Sequence, residues 1–227
     1  MANKTNTETR TSIDELNENL TSVEQKVESN PKIILWTVVG IVVIALAILG
    51  YMWWSNSNTE KSTAAIGAAD LVMVEGNDSI ALQKYQDVAN EFGDKNGSRA
   101  ALESAIILYQ QGKYQDAISY IEKASFSDML IAASAKSLKG DCLVNLGDKN
   151  YDAAIGCYDD AAKTAQGNAQ YAPLFLMKKA TVLDAQKKYA DAKAVYESIQ
   201  KDYPEFESTF GVSLDEYIAN ELQKAGE

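Results

Sequence analysis

Between Ile33 and Trp54 the chain reads IILWTVVGIVVIALAILGYMWW, 22 consecutive residues without a charge. At a rise of about 1.5 Å per residue, a helix of this length extends about 33 Å, enough for the hydrocarbon core of a bilayer. Trp36 lies near one end and Tyr51, Trp53 and Trp54 cluster at the other, where amphipathic rings settle at the headgroup level. Core helices of globular domains rarely stay uncharged for so long. Because a largely polar stretch of 32 residues precedes the run and no small-x-small cleavage site follows it, it reads as a retained single-pass anchor rather than a cleaved signal peptide.

The charges beside the run set its expected orientation. Lys26 and Lys32, with Arg10 further off, precede it, whereas only Lys61 follows closely. The excess of cations before the span places the N-terminus inside and the C-terminal bulk outside, which in a bacterium means an inner-membrane protein with a periplasmic domain. Residues 1–32 then form a cytoplasmic tail. Within it, Ser12 and Glu15 make a capping box, and Ile13, Leu16, Leu20, Val23 and Val27 recur at spacings of 3 and 4, predicting an amphipathic helix over about 12–29 that stops before Asn30-Pro31. A stripe this short serves either as a juxtamembrane helix or as a surface for self-association or a partner helix.

Composition removes whole classes of chemistry. The sequence has no histidine, so it holds no Ser-His or Cys-His nucleophile pair, no imidazole base and no imidazole metal ligand. Lys+Arg 21 against Asp+Glu 32 leaves a net charge of −11, the wrong sign for a nucleic-acid surface. The D-x-N-x-D start at Asp148, Asn150 and Asp152 has Ala153 where a calcium loop needs glycine and Asp159 at its twelfth place. Neither a catalytic residue, a metal ligand nor a cofactor site is expected. Cys142 and Cys157 read as two buried thiols, with a bridge left open.

After the span, SNSNTEKS reads as a polar linker over 55–62, followed by a domain over 63–227 that is helical by periodicity. ALQKYQDV (81–88), AISYIEKA (117–124), AIGCYDDA (154–161) and AKAVYESI (192–199) align. Ala81, Ala117, Ala154 and Ala192 recur at steps of 36, 37 and 38 residues, and Tyr85, Ile121, Tyr158 and Tyr196 keep the same steps. A second register of small residues falls on Ala69, Ala105, Gly140 and Ala180, and the turns QGKYQDA and KKYADA match at Tyr114 and Tyr189. This pattern resembles the tetratricopeptide repeat, a helix–turn–helix unit of 34 residues, over about 63–204. The early tryptophan is missing and the closing proline occurs once, as Pro204. The expected fold is all-α, a solenoid of about four helix pairs in which Val72, Leu108, Leu143 and Leu183 pack between helices, closed by a helix at 213–226.

In tetratricopeptide arrays the first helix of each pair lines a concave groove. Carried over position by position, the resemblance puts Ile66, Asp70 and Met73 there from the first unit and Arg99, Leu102, Ile106 and Tyr109 from the second. Ser137, Asp141 and Val144 follow from the third, then Met177, Thr181 and Asp184 from the fourth. Such a lining, apolar with scattered acids, suits apolar protein segments with basic flanks and lacks the cations that clamp a C-terminal carboxylate. Packing between units is the competing role for Ile106 and Tyr109.

Taken together, the tail, span and repeat domain, with AAIGAADLVM just after the linker, resemble the YfgM-type ancillary subunits of the SecYEG translocon. That resemblance implies a chaperone-like, non-enzymatic scaffold whose partners are Sec translocon subunits, envelope precursor proteins or periplasmic chaperones. The alternatives are a dedicated adaptor or regulator of another envelope complex in cell division, outer-membrane assembly or transmembrane signalling through the inner helix.

Overall fold

The computed structural model describes residues 31–226. The expected inner helix over 12–29 and the cationic positions Arg10 and Lys26 lie outside the described residues. The chain divides into two compact units, one ending at Ser57 and one beginning at Asn58.

In the first unit the uncharged run lies in helix α1 (Pro31–Val74). Its apolar side chains face outward: Trp36, Trp53, Leu46 and Ile44 are all more than half exposed. This helix is long and apolar enough to cross a membrane. Tyr51 and Trp54, one helical turn apart, bring their rings to 6.2 Å at the apolar segment's end. The stretch 55–62, expected as a linker, is helical and belongs to α1. SNSNTEKS contains neither glycine nor proline, so nothing in it breaks the backbone ladder.

The second unit is all-helical among its described residues. The end of α1 pairs with α2 (Asp78–Glu91), α3 (Lys95–Gln110) with α4 (Tyr114–Ile121), α5 (Met129–Asn145) with α6 (Tyr151–Thr164), and α7 (Tyr171–Ala185) with α8 (Tyr189–Asp202). A short α9 (Phe206–Phe210) leads to α10 (Leu214–Ala225), which packs on α8 and closes the array. From α2 to α8 each helix packs on the next, and the first helices α3, α5 and α7 also touch one another in order. Local chemistry sets the starts. Asn77, Asp94, Asp128 and Ser213 each accept backbone N–H groups at a helix N-terminus.

Both expected registers of small residues are buried. Ala69, Ala105 and Ala180 in the first helices and Ala81, Ala117, Ala154 and Ala192 in the second have no exposed surface. A side chain of methyl size is what lets paired helices approach, and at Gly140 an added Cβ would come within 2.7 Å of the Tyr158 ring. The core is a chain of consecutive clusters rather than one centre, running from Ile66, Tyr85 and Leu108 through Tyr158 and Val182 to Tyr196, Phe206 and Leu214. Such nearest-neighbour burial defines a solenoid. The structure thus bears out the expected architecture of helix pairs and a closing helix. Phe206, 2% exposed in the unforeseen α9, fills the space between α8 and that cap.

One polar cluster fixes the entry to the array. The Ser62 hydroxyl, fully buried, donates to Asp94 Oδ2 at 2.5 Å, and Asn96 Nδ2 donates to Ser62 Oγ and Thr63 Oγ1 at 2.9 Å. Burial by itself pushes the Asp94 carboxyl up, but the bonds from Ser62, Gly97 and Asn96 outweigh it and hold Asp94 below the ordinary carboxylate range.

Candidate protein-binding groove

The expected groove residues separate into three environments. Ile66 is a correction: at 3% exposure it is a core residue, one helical turn from Ala69 on the same buried face, and offers no surface to a ligand. Ser137 is likewise buried, accepting a hydrogen bond from Lys178 Nζ at 3.1 Å. Met73 and Thr181 are exposed, and Val144 and Met177 are half-buried.

The acids and Arg99 form the second environment. Asp70 accepts two bonds from Arg99 Nη2, at 2.9 and 3.0 Å, and one from the Tyr85 hydroxyl at 2.7 Å. Asp141 repeats the arrangement, with Lys178 Nζ at 2.7 and 2.9 Å and the Tyr158 hydroxyl at 2.7 Å. Asp184 accepts from Lys224 Nζ of the closing helix at 2.7 Å. In each case the cation comes from the following unit or the cap. The three carboxylates are therefore already neutralised within the chain, and because the pairs are partly exposed they contribute little stability individually. Beside these charges, burial and then the Asp70 carboxylate push the Tyr85 phenol well above its ordinary value; burial and Asp141 do the same to Tyr158.

The second unit is the exception. Ile106 stands where the first and third units carry Asp70 and Asp141, and Ile121 where they carry Tyr85 and Tyr158. Here the first helix shows half-buried Leu102, Ile106 and Tyr109. Tyr109 packs against Tyr114 with ring centroids 5.6 Å apart. Beside this strip lies a cleft of about 420 Å³, bounded by Lys95, Arg99, Leu102 and Glu103 of α3, Phe126 and Asp128 of the loop joining α4 to α5, and Ile131 of α5. The loop is held against α3 by the Ser125 N–H, which donates to Ser98 Oγ at 3.2 Å, and Ile131 remains 44% exposed. Glu103, Phe126 and Ile131 escape a reading of sequence by helix phase, since they come from an off-phase position, a loop and a neighbouring unit. The only sequence signal is the break in the Tyr/Asp pattern at Ile106 and Ile121.

Elsewhere the expected absences of chemistry meet ordinary structural roles. Asp152 accepts bonds from Gln186 Nε2 and Lys188 Nζ, both at 3.0 Å, and so serves as a contact between units. Cys142 and Cys157 are free thiols, the first buried and the second half-buried.

The tetratricopeptide-repeat family model matches residues 102–169, from the middle of α3 through the third helix pair. Among solved structures, a crystal structure of the MamA protein superimposes with a TM-score of 0.56 at 20% identity, covering 73% of this chain and 82% of that one. A second MamA crystal structure gives 0.50 at 20% identity, over 70% of this chain and 94% of its own. These likenesses are of fold. No curated protein matches the sequence. The chain is thus one long apolar helix followed by a tetratricopeptide-like domain, an architecture that suits a protein-binding scaffold and is typically non-catalytic.

Proposed function

We propose that the protein is a membrane-anchored, chaperone-like scaffold that binds apolar segments of other proteins in the groove of its second helix pair. One observation carries this reading: the acids of the flanking units are paired internally, while Leu102, Ile106, Phe126 and Ile131 leave an apolar strip beside an open cleft. Half-buried aliphatic and aromatic side chains around a cleft of this size suit a few anchoring side chains of an extended or helical peptide. The apolar run acts as the anchor, with the N-terminus cytoplasmic and the repeats periplasmic. Tethering concentrates the groove at the membrane surface, so weak individual contacts suffice. The shared layout with YfgM-type proteins makes the Sec translocon the proposed site of action, with emerging envelope proteins as clients.

The test is photo-crosslinking in cells from a probe at Ile131 of the full-length protein, followed by identification of the adducts. Translocon subunits together with many envelope precursors are expected. A single dominant envelope partner would make the protein a dedicated adaptor, and cytoplasmic adducts would reverse the orientation.

A further inference from the structure

Two residues before the small residue of each first helix stand Gly67, Glu103, Leu138 and Lys178. In the fourth unit this place points back at the preceding first helix, because Lys178 Nζ reaches Asp141 and Ser137 there. In the second unit the same place carries a carboxylate, Glu103, near enough to Asp70 to feel its charge. Asp70 draws its cation instead from Arg99, one helical turn earlier, whose Nη2 serves both of its oxygens. Two carboxylates therefore share one guanidinium, and Asp70 holds it.

Glu103 makes no hydrogen bond or ion pair among the described residues, yet it lines the cleft and is half-buried. Burial pushes its carboxyl up; Arg99 opposes that and Asp70 adds to it. Asp128, the other acid at the cleft, is occupied in capping α5 through the N–H groups of Leu130 and Ile131, at 2.8 and 3.0 Å. Lys95 also lines the cleft, but it stands about two helical turns before Glu103, about 12 Å along the axis, and makes no ion pair with it among the described residues. An acid at the place where the fourth unit carries its bridging cation, left without a hydrogen bond or ion pair, is a local conflict that the fold itself does not resolve.

We infer that Glu103 makes this cleft selective for an apolar segment carrying a lysine or arginine, whose cation pairs with Glu103 while neighbouring side chains lie on Leu102, Phe126 and Ile131. The inference rests on the groove reading above and adds the chemistry of the ligand. A cation arriving there exchanges its water for a partly desolvated carboxylate that lacks a partner, and it relieves the repulsion from Asp70. A neutral segment gains only the apolar contacts, and an acidic one adds a further negative charge beside Glu103.

The experiment uses the full-length protein in neutral-lipid nanodiscs and three fluorescent leucine- and alanine-rich peptides that differ only at a central lysine, glutamine or glutamate. Binding is read by anisotropy, with empty nanodiscs as the blank. The lysine peptide is expected to bind about tenfold more tightly than the glutamine peptide, as a charge-assisted contact implies. Glu103→Gln should bring that ratio to about one, and Glu103→Lys should turn the preference toward the glutamate peptide. Equal binding of the lysine and glutamine peptides by the unaltered protein would overturn the inference and leave the apolar groove standing. A preference that survives Glu103→Gln would also overturn it. If none of the peptides binds, the groove reading itself falls.

Discussion

The Tyr158 hydroxyl donates to Asp141 at 2.7 Å across the third helix pair, and Lys178 of the next unit closes on the same carboxylate. Tyr85, Asp70 and Arg99 form the same figure in the first pair. The tyrosine bridges two helices of one unit and the cation bridges to the next unit. Each cluster therefore sets both the angle within a pair and the spacing between pairs. Tyr158→Phe removes one bond to a charged acceptor while leaving the packed ring in place. With Asp141 still partly hydrated, the expected loss is about 1–2 kcal/mol of unfolding free energy in urea melts. A loss no larger than that of an exposed tyrosine would show the bond to be incidental.

The same clusters make the fold sensitive to alkali. Burial and the Glu221 charge push the Tyr196 phenol up to about 12, and Tyr85 and Tyr158 are raised in the same direction. A phenol whose folded value lies above its unfolded value of about 10 contributes stability that is complete below pH 10 and fades as pH rises through the folded value. The protein should therefore keep its melting temperature up to about pH 10 and lose it over the next two pH units. Absorbance at the phenolate band, followed alongside circular dichroism, checks this: the buried tyrosines should titrate only as the helices melt. Ionisation of every tyrosine near pH 10 with the helices intact would contradict it.

Turn chemistry yields a stabilising change. The first and second pairs turn through Gly76 and Gly112 at φ of 79° and 74°, and the fourth turns through Lys187 at φ 61°. The closing bonds match, Lys113 N to Leu108 O and Lys188 N to Leu183 O, both at 2.9 Å, as in a Schellman turn. Among the described residues only Lys187 has a Cβ in the left-handed region, at a cost of about 1 kcal/mol. Lys187→Gly should raise stability by up to that amount in thermal melts, whereas Gly112→Lys should lower it.

The repeat architecture was legible because the residues that define it are the buried ones, spaced by helix geometry within single segments. Alanine at 69, 105 and 180 and tyrosine at 85, 158 and 196 mark the contacts directly. The groove was less legible, because its character depends on pairings across units. Asp70, Asp141 and Asp184 count as free acids in a linear reading, yet each meets a cation 29, 37 and 40 residues away. Ile66 fails for a smaller reason, since a shift of about one residue in helical phase moves a side chain from the groove edge to the seam between helices. The polar stretch 55–62 carries no helix-breaking residue, so its polarity does not mark a break in the helix, and Ser62 within it is buried.

The second unit offers a test that joins fold to function. Its apolar strip exists because Ile106 and Ile121, with Leu138 of the third unit, occupy the three places that Asp141 and Tyr158, with Lys178 of the fourth unit, hold one repeat later. Ile121→Tyr alone should cost about 1–3 kcal/mol, since the larger ring enters a packed site and its hydroxyl meets no acceptor. Adding Ile106→Asp supplies the acceptor, and Leu138→Lys supplies the cation, so the triple variant should regain most of the loss. Non-additivity of this kind, read from urea melts of the single, double and triple variants, is the mark of a completed cluster. The regained fold would carry a charged groove in place of an apolar one. Photo-crosslinking from Ile131 should then yield few client adducts although the helices are intact. Undiminished capture by the refolded triple variant would show that clients bind elsewhere on the molecule.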